Sequence, residues 1–220
     1  MKVGNCGILF PIIREYKVDL SMSLVILLKK NGTIEATADG MAIVMDANGA
    51  LKHKKDNFKK LYPLKNKAII GYASQTPING YDLSSLTDSL AFYTKGMSTI
   101  SEIANESCEF IRGTEEPHPD QILIGGVDTE PGIYKLERCY ENFKPQEVLY
   151  EYDFIGWIHV AVCEYHKIKD KSEDIAVDLI QKTCDHPNIH GLIGGKLKRF
   201  VVDGDGVHEI EMTTDIHSSV

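Results

Sequence analysis

The chain has 220 residues and a mass of 24.6 kDa, which suits one domain, and 43% of its residues are apolar, enough for a real core. A formal charge of −8 and a pI near 5.5 leave no basic excess to neutralise phosphates, which argues against general nucleic-acid binding. The five cysteines are odd in number and scattered without a CxxC pair, so neither a zinc ribbon nor a dithiol redox motif is expected, and reduced thiols in a cytosolic protein are.

Taken in chain order, the first apolar stretch is Gly7 to Ile13, which imitates a secretory signal. Pro11 interrupts it, and it runs into Arg14-Glu15 without a small-residue cleavage site, so residues 1–22 are read as an N-terminal arm or leader. No apolar run approaches the roughly 20 residues needed to span a bilayer. The run Ser23 to Leu28 is a strand, Asn31-Gly32 a hairpin turn, and Thr33 to Asp39 the returning strand. A second turn falls at Asn48-Gly49, followed by Phe58 to Leu64 and the buried strand Ala68 to Ala73.

From Asp82 the period changes. Leu83, Leu86, Leu90 and Ala91 share one helical face, with Asp82 as cap and Gly96 as the stop. Ser98 caps the next helix, whose stripe is Ile100, Ile103, Ala104, Cys108 and Ile111, ending at Gly113. Thr114 to Pro119 is a loop. Strands return at Gln121 to Asp128, Ile133 to Leu136 after a Pro131-Gly132 turn, and Glu147 to Tyr152. Helical spacing resumes with Ile158, Ala161, Val162 and Tyr165. Ser172 then caps a helix that buries Ile175, Ala176, Leu179, Ile180 and Thr183. Lys198–Val202 and Val207–Met212 form a last hairpin around Asp203-Gly204-Asp205-Gly206, and residues 213–220 are a loose polar tail.

The order is strands, two helices, strands, two helices, strands, which suggests two stacked antiparallel sheets with helices outside. The histidines show no ligand spacing, and Pro187 breaks any helix between His186 and His190. No metal site and no cofactor is expected.

Several strings, in this order, resemble the proteasome β-type subunits of the N-terminal-nucleophile (Ntn) hydrolases. They are Asn31-Gly32 through Ala36-Thr37-Ala38-Asp39, Lys60-Leu61-Tyr62, Gly71-Tyr72-Ala73, Gly125-Gly126-Val127-Asp128 with Gly132-Ile133-Tyr134, and Gly194-Gly195 before the final hairpin. The resemblance covers roughly residues 23–212. It implies an α+β fold, a four-layer αββα sandwich of two antiparallel sheets flanked by helices. It also implies that Ser23, sixteen residues before Asp39, holds the nucleophile position, and that Lys60 is the lysine whose charge tunes it with Asp39 as its partner. Lys55 competes with Lys60 for that role.

The sequence departs from the family's pattern in places that matter for chemistry. Met22-Ser23 stands where active members have a glycine and a threonine, and Met41 where an arginine commonly follows the acid. Ile155-Gly156-Trp157 lacks the serine expected before the third helix. Asp185 is a candidate for the later aspartate, and Ile193 stands where a serine is expected. The resemblance therefore implies a structural β-type ring member without its own peptidase activity, assembled with other α- and β-type subunits, in the cytoplasm and, in a eukaryote, the nucleus. The alternative is an active peptidase or amidohydrolase that uses Ser23 after removal of residues 1–22. Neither reading calls for nucleic acid or membrane.

Overall fold

The computed structural model describes residues 17–19, 23–45, 51–65, 67–73, 78–79, 83–113, 119–137, 144–156, 158–187, 189, 192–212 and 215–216. Among them it is an α+β protein with several antiparallel sheets and four helices.

One five-stranded sheet is built on β2 (Leu24–Lys30) and β3 (Thr33–Ala38), flanked by β12 (Tyr152–Gly156) on one side and by β14 (Lys198–Val202) and β15 (Val207–Ile210) on the other. Lys30 pairs with Thr33 across the two-residue loop Asn31-Gly32. Both loop residues have positive φ, 52° and 80°, the twist that matches a right-handed hairpin and that Asn and Gly adopt at least cost. The second five-stranded sheet runs β11 (Lys144–Glu147), β10 (Pro131–Glu137), β9 (Gln121–Val127), β7 (Ala68–Ala73) and β6 (Leu61–Leu64). A smaller sheet joins β1 (Lys17–Asp19) to β4 (Ala42–Met45) and β8 (Ile78–Asn79), with β5 (Leu51–Lys55) on the far side of β4.

The unbroken apolar runs of β2, β7 and β9 are explained by burial on both faces. Leu24, Ile26 and Leu28 share one apolar cluster with Ala161 and Tyr165 of α3 (Ile158–Ile168) and Ala176, Leu179 and Ile180 of α4 (Ile175–Cys184). Ile70, Tyr72, Ile122 and Ile124 share a second with Leu86 and Leu90 of α1 (Leu83–Tyr93) and Ile103 and Ile111 of α2 (Ile100–Gly113). The alternate residues Val25 and Leu27 of the first sheet and Ile69, Ala73 and Leu123 of the second meet in a third cluster, closed by Phe200 and Val202. Two of its contacts depend on missing side chains: a Cβ on Gly71 would lie 2.6 Å from Val25 Cγ1, and one on Gly125 2.6 Å from Leu27 Cδ2.

Several expected boundaries move. Thr99, not Ser98, caps α2: its Oγ1 accepts from Glu102 N at 3.2 Å, and Glu102 Oε2 accepts from Thr99 N at 2.9 Å, a reciprocal capping box. Asp174, not Ser172, caps α4 by accepting from Val177 N, while Ser172 Oγ donates to Asp178. The strand expected over Glu147 to Tyr152 is a connector between two strands, because the chain leaves one sheet at Glu147 and joins the other at Tyr152. Pro131 opens β10 opposite Val127 rather than sitting in the turn. Two segments outside the expected core take part in sheets. Lys17–Asp19, inside the expected arm, lies between β4 and β8, and β16 (Asp215–Ile216), inside the expected tail, pairs with β13 (Gly195–Lys196). Asp82, Trp157, His190 and the Asn48-Gly49 turn lie outside the described residues.

Candidate functional site

The three residues singled out from the sequence come from two hairpins. Ser23 immediately precedes β2, Asp39 immediately follows β3, and Lys60 immediately precedes β6. The register Val25–Ala38 places Leu24 opposite Asp39, and the ladder is carried one residue further in an unusual way. Asp39 N donates to Leu24 O at 3.2 Å, but Leu24 N donates to the Asp39 side chain, Oδ1, at 2.7 Å. The carboxylate is thus pulled inward, over the end of the hairpin.

Lys60 Nζ reaches the same oxygen at 2.7 Å, and neither side chain is exposed at all. Oδ2 accepts from Met41 N at 3.1 Å and from Gly194 N at 3.3 Å. Two donors per oxygen fill the usual lone-pair capacity of a carboxylate. Burial is the largest influence on both groups, pushing the Asp39 carboxyl up and the Lys60 ammonium down. Their mutual attraction and the Leu24 and Gly194 amides act in the opposite sense on Asp39. Lys55, the competing lysine, is exposed on β5 and pairs with Ala42, so the pairing selects Lys60.

Ser23 is 1% exposed, and its Oγ has no hydrogen-bond partner among the described residues. Its carbonyl is covered by Gly156, where a Cβ would lie only 1.8 Å from Ser23 O; Gly156 has φ +96°, and its N–H is held by the buried Gln121 side chain at 2.9 Å. The structure therefore brings Asp39 and Lys60 into direct contact and sets Ser23 one residue from the amide that Asp39 holds. The Ser23 nitrogen is a peptide nitrogen following Met22, not an amine, so Ser23 does not supply its own N-terminal base while Met22 is attached.

The neighbouring positions that the resemblance singles out take these places. Met41 contributes its backbone N–H to Asp39. Asp185 follows α4 and accepts from Gln181 Nε2 at 3.0 Å. Ile193 is buried in the apolar cluster of α3 and α4. Sequence reasoning missed the Gly194 amide as an Asp39 donor, Gly40, whose N–H donates to Gly194 O at 2.8 Å, and Gln121 as the partner of the Gly156 amide. The paired glycines at 194 and 195 and the Asp39-Gly40 dipeptide were the available signals, since both mark places where backbone approaches backbone.

Among the described residues no group of three or more His, Cys, Asp or Glu side chains is placed to hold a metal ion, and no helix is long and apolar enough to cross a membrane. No known family model matches the chain, and no curated protein matches it significantly.

Proposed function

We propose that this chain is a β-type subunit of a proteasome-like core, a wall component of a self-compartmentalised protease ring without peptidase activity of its own. It would assemble with related α- and β-type subunits around a protein or peptide substrate, in the cytoplasm and, in a eukaryote, the nucleus. Its fold in this reading is the four-layer αββα sandwich. The three apolar clusters support that arrangement, because each five-stranded sheet shares one cluster with a helix pair and the third cluster with the other five-stranded sheet.

The observation that carries the functional reading is the buried Asp39–Lys60 pair next to an internal Ser23. Asp39 spends all its acceptor capacity on Lys60 and three backbone amides, which suits a structural anchor. A nucleophile needs a nearby base and access to substrate; the Ser23 hydroxyl is buried, and its amine is tied up in the chain. Removal of residues 1–22 would also delete β1, the strand that joins β4 to β8. Leu149 and Tyr150, 85% and 75% exposed, are apolar surface of the kind that a neighbouring subunit covers.

Intact-mass and native mass spectrometry of the protein purified from its own cell test this. A full-length mass within a multisubunit complex is expected. A mass short by residues 1–22, with a new N-terminal Ser23, would replace this reading with the Ntn peptidase or amidohydrolase. A lone monomer at high concentration would remove the subunit role.

A further inference from the structure

Four stretches of backbone, remote in sequence, meet beside the Asp39–Lys60 pair. Gly40 N donates to Gly194 O at 2.8 Å, Gly40 O accepts from Phe58 N at 2.8 Å, and Lys196 N donates to Asp56 O at 2.7 Å. Gly194 N in turn donates to Asp39 Oδ2. The fourth stretch is β16, which pairs with β13 in the register Gly195–Ile216 and Lys196–Asp215.

Glycine is required at three of these positions because no side chain fits between the strands. A Cβ on Gly40 would lie 2.3 Å from Lys196 O, one on Gly195 2.5 Å from Asp56 O, and one on Gly194 2.7 Å from Ile216 O. Gly194 and Gly195 also have φ of +136° and +73°, which side chains rarely adopt. The Gly194-Gly195 turn is thus squeezed between Asp56 on one side and the Ile216 carbonyl on the other, and the amide it presents to Asp39 is held in place by both.

Among the described residues, the hold from the β16 side is slight. The strand has two residues, Asp215 is exposed, and Ile216 is the one side chain of the two that is buried, 2% exposed in the cluster of α3 and α4. A segment tied by one apolar anchor and a short ladder opens locally far more readily than the sheets behind it.

We infer that Asp215–Ile216 is a latch on the Asp39–Lys60 site. Seated, it presses the two-glycine turn against Asp39 and keeps the ion pair dry. Displaced, it lets the turn swing away, releases the Gly194 amide from Asp39 and admits water to Lys60. The change is purely conformational, and it is independent of whether the chain belongs to a ring.

Two thiols and one amine report on it in the full chain. Cys184 is fully buried, its Sγ 3.4 Å from where a Gly194 Cβ would sit, whereas Cys108 is buried in the other helix–sheet cluster. In Ile216→Asp, iodoacetamide labelling of Cys184 and acetic-anhydride labelling of Lys60, both located by peptide mass spectrometry, are expected to speed up by about tenfold or more while Cys108 keeps its wild-type rate. Ile216→Ala, the milder change, is expected to shift the same two sites in the same direction by less, and serves if the charged variant does not fold. Unchanged rates at Cys184 and Lys60 in a folded variant would overturn the latch. So would a joint rise at all three sites in Ile216→Ala, which would make β16 an ordinary part of the cooperative core.

Discussion

Asp39 Oδ1 sits 2.7 Å from Lys60 Nζ and accepts the Leu24 amide at the same distance. One oxygen thus joins a lysine from the start of β6 to the first residue of β2, and the other oxygen joins the turn after β3 to the Gly194 turn. An ion pair withdrawn from water contributes little net stability against an apolar replacement, because desolvation offsets the attraction. What this pair supplies is a fixed meeting point for four chain segments, at the position where the resemblance places catalytic groups.

The two partners are unequal, and their substitutions should be too. Lys60→Met leaves Asp39 with three amide donors, which still stabilise a buried anion. Asp39→Ala leaves a buried ammonium without a counter-charge and orphans the amides of Leu24, Met41 and Gly194. Losing one member of a buried pair costs about 3–5 kcal/mol, and each orphaned buried donor about 1–3 more, so Asp39→Ala should be the more destabilising by at least ~1 kcal/mol. Urea denaturation of both variants checks the order; equal losses would mean that the amides are not held by the carboxylate.

The Lys60→Met variant should also acquire a distinctive pH response. Burial already lifts the Asp39 carboxyl above its ordinary 3.8, and the Lys60 charge and hydrogen bond work against that lift. Without them the rise is greater. A group whose native pKa is raised binds a proton in the folded state that the unfolded chain has released, so stability falls as pH rises through the window between the two values and is regained as pH falls. The stability gap between Lys60→Met and wild type is therefore expected to narrow as the pH is lowered from about 7 toward about 4. A gap that widens on acidification would put the carboxyl on the other side of its ordinary value.

Much of this architecture was written locally. Asn31-Gly32 announced a hairpin because both residues adopt positive φ there, and the runs Leu24–Leu28 and Ala68–Ala73 were unbroken because both of their faces are covered. One element that escaped, β4, is the apolar run Ala-Ile-Val-Met and was legible; others carry no such signature. β11 is Lys-Pro-Gln-Glu, an edge strand with nothing apolar to alternate, and β5 is Leu-Lys-His-Lys-Lys, which reads as a solvated charge run. β16 is two residues long, and Ile216 is the buried one of its two side chains. Helix starts slipped by one or two residues where several capping types stood side by side, as in Ser98-Thr99 and Ser172-Glu173-Asp174. At the site, Asp39 and Lys60 stand out by likeness to a family; only its place before Leu61-Tyr62 distinguishes Lys60 locally from exposed Lys59 or Lys55, because its partner is a carboxylate 21 residues away.

Gly156 offers a sharper test of the close packing around Ser23. Alanine there would have to adopt φ +96° and place its Cβ 1.8 Å from Ser23 O, so backbone must move. Strained backbone conformations cost about 1–3 kcal/mol before any clash is added, and Gly156→Ala is expected to exceed about 3 kcal/mol or fail to fold. Gly204, in the last hairpin turn, has nothing within 4 Å of its would-be Cβ, and Gly204→Ala should stay within about 0.5 kcal/mol of wild type. Thermal melts of the two variants read the contrast directly.

Ser23 separates the structural and enzymatic readings at a single atom. Its Oγ is buried without a partner among the described residues, as are Thr37 Oγ1 and Ser107 Oγ. A hydroxyl taken from water without a compensating hydrogen bond is a cost of about 1–3 kcal/mol in proteins. Replacing it by an apolar group removes that cost, and the cavity left by one oxygen is small. Ser23→Ala is therefore expected to be neutral or to stabilise by up to ~1 kcal/mol, with the isosteric Thr37→Val behaving alike. In the structural reading, Ser23→Ala also assembles with its partners as wild type does, and any peptidase activity of the complex is unchanged. Loss of a peptide-hydrolysing activity in Ser23→Ala, with stability and assembly intact, would show that the hydroxyl serves chemistry rather than merely preceding the strand.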